Sequence, residues 1–428
     1  MGGTSVKIAI IGGGSAYAPG LLQAFAADAA TFAGCELALM DVAAAELDVV
    51  HRLGRRLLEG TGLRLSATTE RVRAIEGADV VLTTFRQGGL AARHLDESVP
   101  LSFGVIGQET IGPGGFFFAM RTLGVMRSVA SEMATHAPGA LLVNYTNPTQ
   151  IVAEALTRFT DVPCVAICDQ SDDDRVHLAS ALGIAPHDIT LSASGVNHAT
   201  WSSACGIEGE HGVEDGALRI AATADEIQAR ADVSPRVKRQ FALTRAYGRV
   251  PNGYLPYYYF RDESVAEARA AKRTRAQAIA AELPAMYRHF EEQALAPAPR
   301  LSAGRGGSVF GDFAVQVIAA FTTGASTRLT LNVRNGGALA DLDPERVVEV
   351  PCLVEGGVAT AIPQPRFGAA RAGLIRMLAD YQAAAADAIW SDDPDAMERA
   401  LAANPLVMSL TLARSLLRAR AAAERAGA

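Results

Sequence analysis

The sequence predicts an α/β protein with a doubly wound parallel sheet in its first half and an α+β domain in its second. Three observations carry this. Short apolar runs alternate with helical patterns through the first 170 residues. A glycine-rich turn follows the first run. The residues just past the ends of the runs are polar or glycine, at the edge where such sheets bind ligands.

The predicted strands are Val6–Ile11, Leu37–Met40, Val80–Thr84, Ala140–Val143 and Cys164–Ile167. Each is apolar enough to be buried on both faces, as parallel strands are. Past their ends lie Gly12–Ser15, Asp41, Arg86, Asn144 with Asn147, and Cys168 with Asp169. The turn from Gly12 to Tyr17 precedes a helix, the arrangement of a Rossmann-like dinucleotide fingerprint, although Tyr17 stands at the third glycine position. Its glycines permit a tight turn, and the helix N-terminus offers N–H groups to a pyrophosphate. Asp41 ends the second strand, where an acid bonds the ribose hydroxyls of NAD and repels the extra phosphate of NADP. Gly12, Gly14, Ser15, Asp41 and Arg86 are therefore assigned to the cofactor side. A plain turn is the other reading of the glycines.

Residues Gly104 to Thr122 read GVIGQETIGPGGFFFAMRT. Five glycines and a proline predict a loop, with Glu109 as its carboxylate, rather than a helix or central strand. Phe117, Met120, Leu123, Met126 and Val129 then recur at helical spacing, so the loop is pinned to a packed helix.

In the second half, ITLSASGVNHATW alternates as a strand ending near Asn197 and His198. A charged, Ala-rich stretch leads to NGYLPYYYF, and GRGG precedes a buried helix over Ser308–Thr322. RLTLNV and VVEVPCLV read as strands, and from Phe367 the chain is helical with breaks near SDDPD and at Pro405. The domain boundaries expected are 1–190 for the dinucleotide-binding part and 191–428 for the substrate- and metal-binding part.

Composition excludes several classes. The net charge is -7 and no Lys/Arg block is present, which argues against a nucleic-acid partner. No apolar run reaches the roughly 18 residues needed to span a bilayer. The N-terminus lacks the features of a signal peptide, and five scattered cysteines make no disulfide framework. The expectation is a cytoplasmic enzyme of a small molecule, assembled as a dimer or tetramer.

Cys168 and His198, each ending a predicted strand, are a candidate metal pair. A core cysteine and a hydrogen-bonded histidine are the alternative. Cys164 shares a strand face with Cys168 but lies too far along it to chelate, and stays in the core. Tyr254 sits at a Gly-flanked turn that presents it to a pocket, and Tyr257 to Tyr259 read as packing. The run Gln170–Asp174 reads as a solvated helix start, its acids facing the positive end of the helix dipole. The segment around His211 is similar to the acid/base segment of lactate and malate dehydrogenases, which share this two-part architecture. An NAD-dependent 2-hydroxy-acid dehydrogenase is thus one reading. The serine that usually follows that histidine is missing, as is an arginine-rich loop to clamp a carboxylate.

The chain resembles glycoside hydrolase family 4 nearly end to end. The resemblance rests on KIAIIGGGSAYAP, RQGGLAARHLDESVPLSFGVIGQETIGPGGFF, NYTNP, Cys168-Asp169, GVNH, NGYLPYYYF, GRGGS, VVEVPC and DPDAMERALAANPLV. The long glycine block looks most like the 6-phospho-β-glucosidase branch. The resemblance implies NAD and a divalent metal, usually manganese, held by Cys168 and His198. It implies oxidation at sugar C3, removal of the C2 proton by Tyr254, elimination of the aglycone, addition of water and return of the hydride to C3, so that NAD is not consumed. It places Arg93 and Asn147 near a 6-phosphate, Glu109 beside the metal and sugar, and Asn197 among the substrate contacts. Asp169 stands where β-type relatives carry Asn; α-type relatives share it, as a candidate general acid. Pro256 stands at a family arginine. An α-linked or unphosphorylated glycoside is the alternative substrate.

Overall fold

Strands buried on both faces must be apolar throughout, and the first ones are. The computed structural model, which describes residues 6–209, 212–302 and 311–427, has β1 (Lys7–Ile11), β2 (Glu36–Met40), β3 (Arg64–Thr68), β4 (Val80–Thr83), β5 (Leu141–Asn144) and β6 (Cys164–Ala166). They lie in the order β3-β2-β1-β4-β5-β6, every pair parallel. Strand order reverses between β1 and β4, which opens the crevice where ligands of such sheets bind. Five of the six match the predicted runs within about two residues. The sixth, β3, is an addition to the sequence reading. As the edge strand it leaves Arg64, Ser66 and Ala67 in water, so it carries no apolar run to find.

The sheet does not stop at the expected boundary. Strands β7 (Ile189–Val196), β8 (Ala199–Gly209), β9 (Gly212–Asp215), β10 (Thr327–Arg334), β11 (Val347–Glu355) and β12 (Val358–Ala361) extend it in the order β6-β10-β11-β7-β8-β9, antiparallel throughout, with β12 on β11. Two joints are thin. Among the described residues the ladder between β10 and β6 is the single pair Asn332 and Ala166, and that between β11 and β7 the single pair Glu349 and Gly195. Side chains of the helix Thr149–Phe159 reinforce them. Gln150 donates to the Val347 carbonyl and accepts from the Asn197 N–H, while Glu154 accepts from the Val347 N–H at 2.8 Å.

Glu154 is fully buried, and one of its oxygens lacks a hydrogen-bond partner among the described residues. Burial pushes its pKa from 4.5 up to about 7. A carboxyl that holds its proton more tightly when folded loses stability as pH rises from about 4.5 through about 7. Glu154→Gln keeps an acceptor for Val347 and cannot ionise. It is expected to match the wild type at pH 5 and exceed it at pH 8 by about 2–3 kcal/mol. Urea midpoints at the two pH values test this, and equal pH dependence in both proteins would refute it.

The glycine run corrects one expectation. Gly112–His136 is a single helix, so Gly112 to Gly115 lie within its first turn rather than in a loop. Close approach explains why glycine is used there. A Cβ on Gly114 would lie 2.2 Å from the Gln108 carbonyl oxygen, and one on Gly107 would lie 1.7 Å from that of Glu97. The segment Gly107–Ile111 is thereby pressed between two helices, Gly89–Ser102 and Gly112–His136. Phe117, Leu123, Met126 and Val129 are fully buried as predicted, and Met120 is half-buried.

The predicted Ser308–Thr322 helix is found at Asp312–Thr323, while GRGG and Ser308 lie outside the described residues. The C-terminal helices are Ala369–Trp390, Pro394–Ala402 and Leu410–Gly427, broken where expected. Among the described residues no helix is long and apolar enough to cross a membrane.

Candidate active site

The turn after β1 enters the helix Ala18–Ala27 at the reversal of strand order. Gly12 has φ +101°, and a Cβ there would lie 2.4 Å from the Thr84 carbonyl oxygen. At Gly13 a Cβ would lie 2.8 Å from that of Leu39, so β2 and β4 close on the turn from both sides. The Asp41 carboxylate accepts from the N–H groups of Gly14 at 3.0 Å and Ala43 at 3.1 Å. The Ser15 hydroxyl is buried without a hydrogen-bond partner among the described residues. A buried orphan hydroxyl in a glycine cradle fits a loop that receives a polar ligand. Tyr287, from the helix Arg275–Leu295, donates to the Gly14 carbonyl at 2.8 Å, so the second half closes over this loop.

Cys168 follows β6 and His198 follows β7, yet the sulfur lies 3.4 Å from His198 Nε2. His198 is the second residue of a two-residue turn between β7 and β8, with φ +62°. A side chain in that region costs about 1–2 kcal/mol, and the turn carries a histidine all the same. Burial lowers the His198 pKa to about 4, leaving the neutral ring that ligates metals. Burial, Glu349 and Asp169 hold the Cys168 thiol well above its ordinary range, and a bound cation would convert it to thiolate. Among the described residues no group of three or more His, Cys, Asp and Glu side chains converges. The donor set is thus a thiol and an imidazole, which fits a cation that keeps open positions for substrate oxygens. Cys164 packs against the core, as expected.

Tyr254 joins this pair from a distant loop. Its ring stacks on that of His198, with centroids 4.1 Å apart and planes 17° apart. Burial, then Glu109 and Cys168, push the phenol pKa above 10. Asp169 accepts from the Tyr145 hydroxyl at 2.8 Å, and burial and Asp173 raise its pKa. Tyr258 is half-buried and packs against the core, in keeping with the packing reading of the aromatic run.

The remaining predicted residues form a charge network beside Tyr254. Arg93 is 5% exposed and pairs with Glu97 at 2.7 Å and Glu109 at 2.9 Å. Arg86 also pairs with Glu109 and lies over the Phe118 ring at 4.6 Å. Two guanidiniums thus share one carboxylate from the glycine segment. Asn147 precedes a cis proline and accepts from the Thr149 N–H at 3.3 Å and hydroxyl at 3.0 Å. Asn197 donates its amide to Glu349 and is buried. Thr110, Gly112, Thr149, Asn197, His198 and Tyr258 line a small cleft between these groups.

Sequence reading missed three contributors. Glu349 is buried beneath Asn197, and burial raises its pKa to about 7. Its signal was available: a glutamate amid the apolar strand VVEVPC has to be buried with a partner. Gln150 holds the Asn197 backbone, as described above. Asp174 corrects the solvated reading of the acidic run. Asp172 and Asp173 are exposed, but Asp174 is 1% exposed, and its oxygens accept from Gln170 Nε2 and the Gly253 N–H, each at 2.8 Å.

Residues 7–184 match family 4 glycosyl hydrolase, and residues 193–407 match the family 4 glycosyl hydrolase C-terminal domain. The chain is 30% identical over 420 residues to the probable 6-phospho-beta-glucosidase of Bacillus subtilis strain 168, covering 96% of this chain and 95% of that one. The chain belongs to glycosyl hydrolase family 4. This family 4 enzyme is also 26% identical over 428 residues to the 6-phospho-alpha-glucosidase of Leptotrichia buccalis, covering 96% of each. The crystal structure of a 6-phospho-alpha-glucosidase from gut microorganisms, in complex with NAD and Mn2+, shares the fold with a TM-score of 0.87. It is 24% identical and is matched over 98% of its length by 99% of this chain. A lactate dehydrogenase from a deep-sea metagenome library matches with a TM-score of 0.53 at 14% identity, over 90% of this chain and 99% of that one.

The dehydrogenase-like architecture expected from sequence is therefore the fold of this family 4 glycoside hydrolase. The 2-hydroxy-acid dehydrogenase reading is overturned by the family match. His211, on which it rested, lies outside the described residues.

Proposed function

We propose that this enzyme hydrolyses 6-phospho-β-glucosides with NAD and a divalent metal such as manganese. The observation that carries the reading is the convergence of Cys168, His198 and Tyr254 next to Asp169 and the Arg93–Glu109 network. The names of the relatives support a 6-phosphoglucoside. The similarity to the Bacillus subtilis protein over nearly the whole chain favours the β-anomer.

Gly12, Gly14, Ser15, Asp41 and Arg86 would hold NAD, and Cys168 and His198 the metal. When bound, the dinucleotide supplies a hydride acceptor for sugar C3 and the metal a Lewis acid that renders the C2 hydrogen acidic. The chain's own residues do the rest. Tyr254, oriented by its stack on His198, takes the C2 proton. Asp169, whose pKa burial and Asp173 raise, delivers a proton to the departing glycosidic oxygen. Arg93 and Asn147 receive the phosphate, while Glu109 and Asn197 orient the sugar; the guanidinium fork suits phosphate oxygens. Residues 1–190 would carry the dinucleotide and 191–428 most of the substrate side.

One observation favours a second reading. Asp169, the position at which the sequence resembles the α-type members of the family, supports the α-anomer. A panel of nitrophenyl α- and β-glucosides, with and without 6-phosphate, assayed with NAD and manganese, separates the readings. In deuterated water the released sugar is expected to carry deuterium at C2. Unlabelled product from an active enzyme would refute the elimination route.

A further inference from the structure

The loop that presents Tyr254 is fixed residue by residue. The Pro251 carbonyl accepts from Gln240 at 3.1 Å, and the Asn252 N–H donates to the Thr200 carbonyl at 2.8 Å. The Tyr254 N–H donates to Asn252 Oδ1 at 3.0 Å. The Gly253 N–H between them goes to Asp174. That carboxylate is held on its other oxygen by Gln170, one turn earlier on the same helix. Arg236 closes the site from outside, so that a Cβ on Gly253 would lie 2.5 Å from Asp174 Oδ1 and 3.1 Å from Arg236 Nη1. A Cβ at 253 would thus push against the Asp174 carboxylate, which would have to shift to admit it.

The helix that carries Asp174 starts at Gln170, two residues after Cys168. The N-terminal end of this helix therefore touches both ends of the chemistry, with Cys168 leading in and Tyr254 held beyond. From Cys168 the connections run to Asp174, to Gly253, to Tyr254, to the His198 ring, and back to the Cys168 sulfur. No solvated helix start needs a buried aspartate at its fifth residue.

We propose that Asp174 is a positioning residue for Tyr254. By holding the Gly253 N–H it fixes the phenol over His198, and so sets the distance from the base to the substrate. This rests on the reading of Tyr254 as the base. A displacement of about 1 Å in such a group can cost about 100-fold in rate.

The test is a double-mutant cycle on the full-length enzyme with NAD and manganese. Asp174→Ala is expected to lower kcat about 30- to 100-fold with KM changed less than about 3-fold, and to leave manganese affinity and the thermal midpoint near wild type. In a Tyr254→Phe background the same change is expected to cost no more than about 2-fold, because nothing remains to be positioned. Asp174→Asn keeps an acceptor for the Gly253 N–H and should recover most of the rate. Gly253→Ala disturbs the contact from the other side and should reproduce the loss if Asp174→Ala does not fold. An equal loss in both backgrounds, or an unimpaired Asp174→Ala, overturns the positioning role alone. Full kcat in Tyr254→Phe by itself overturns the base reading, and this role with it.

Discussion

Tyr254→Phe is expected to lower kcat by about 10²–10⁴-fold, the range that general bases contribute. The change removes one hydroxyl and keeps the ring that stacks on His198 at 4.1 Å. Binding of sugar, metal and NAD should therefore survive. Exchange of the C2 hydrogen with solvent should be lost in parallel with turnover. The pH profile adds a sign. Burial and Glu109 hold the phenol above 10 in the protein alone, so near neutrality it is protonated and cannot act as a base. A cation beside it would lower that pKa. The acid limb of kcat should then move to lower pH with a stronger Lewis acid in the site. A Phe variant with near wild-type kcat, or an acid limb indifferent to the metal used, would remove Tyr254 from the reaction.

Cys168→Ser is expected to abolish productive metal binding. With the sulfur gone, His198 is the remaining member of a two-donor set, and a neutral hydroxyl does not replace a thiolate. Manganese affinity should fall by more than about 100-fold, beyond the 10- to 100-fold typical of outer-shell changes. Turnover should fall with it. NAD binding should be unchanged, because the glycine turn follows β1 and Cys168 follows β6, separated by β4 and β5. Titration of the metal-free variant with manganese, alongside NAD binding by fluorescence, measures both. Metal affinity equal to wild type, or full wild-type activity after chelation, would end the assignment.

The first half of the fold was legible because strands enclosed on both faces must be apolar, and β1, β2, β4, β5 and β6 are. β3 was not, because an edge strand can be polar. The start of the Gly112–His136 helix was misread for a related reason. Glycine is a poor helix former, but here it is needed so that the Gln108 and Thr110 backbone can lie against the helix. At the site, residue types hinted at Asp41, Cys168, His198 and Tyr254 one by one. Their meeting could not be inferred from spacing, since 30 residues separate Cys168 from His198. The resemblance supplied that grouping. Asp174 was lost because neighbouring acids that face water concealed one that does not.

The two thin joints of the sheet have a consequence for how the enzyme fails. Cys168 and His198 stand on opposite banks of that divide, with β10 and β11 between their strands. A metal ion shared by them would act as a suture between two halves that backbone pairing alone holds loosely. Loss of Gln150 or Glu349 would then register as a weakened grip on the metal.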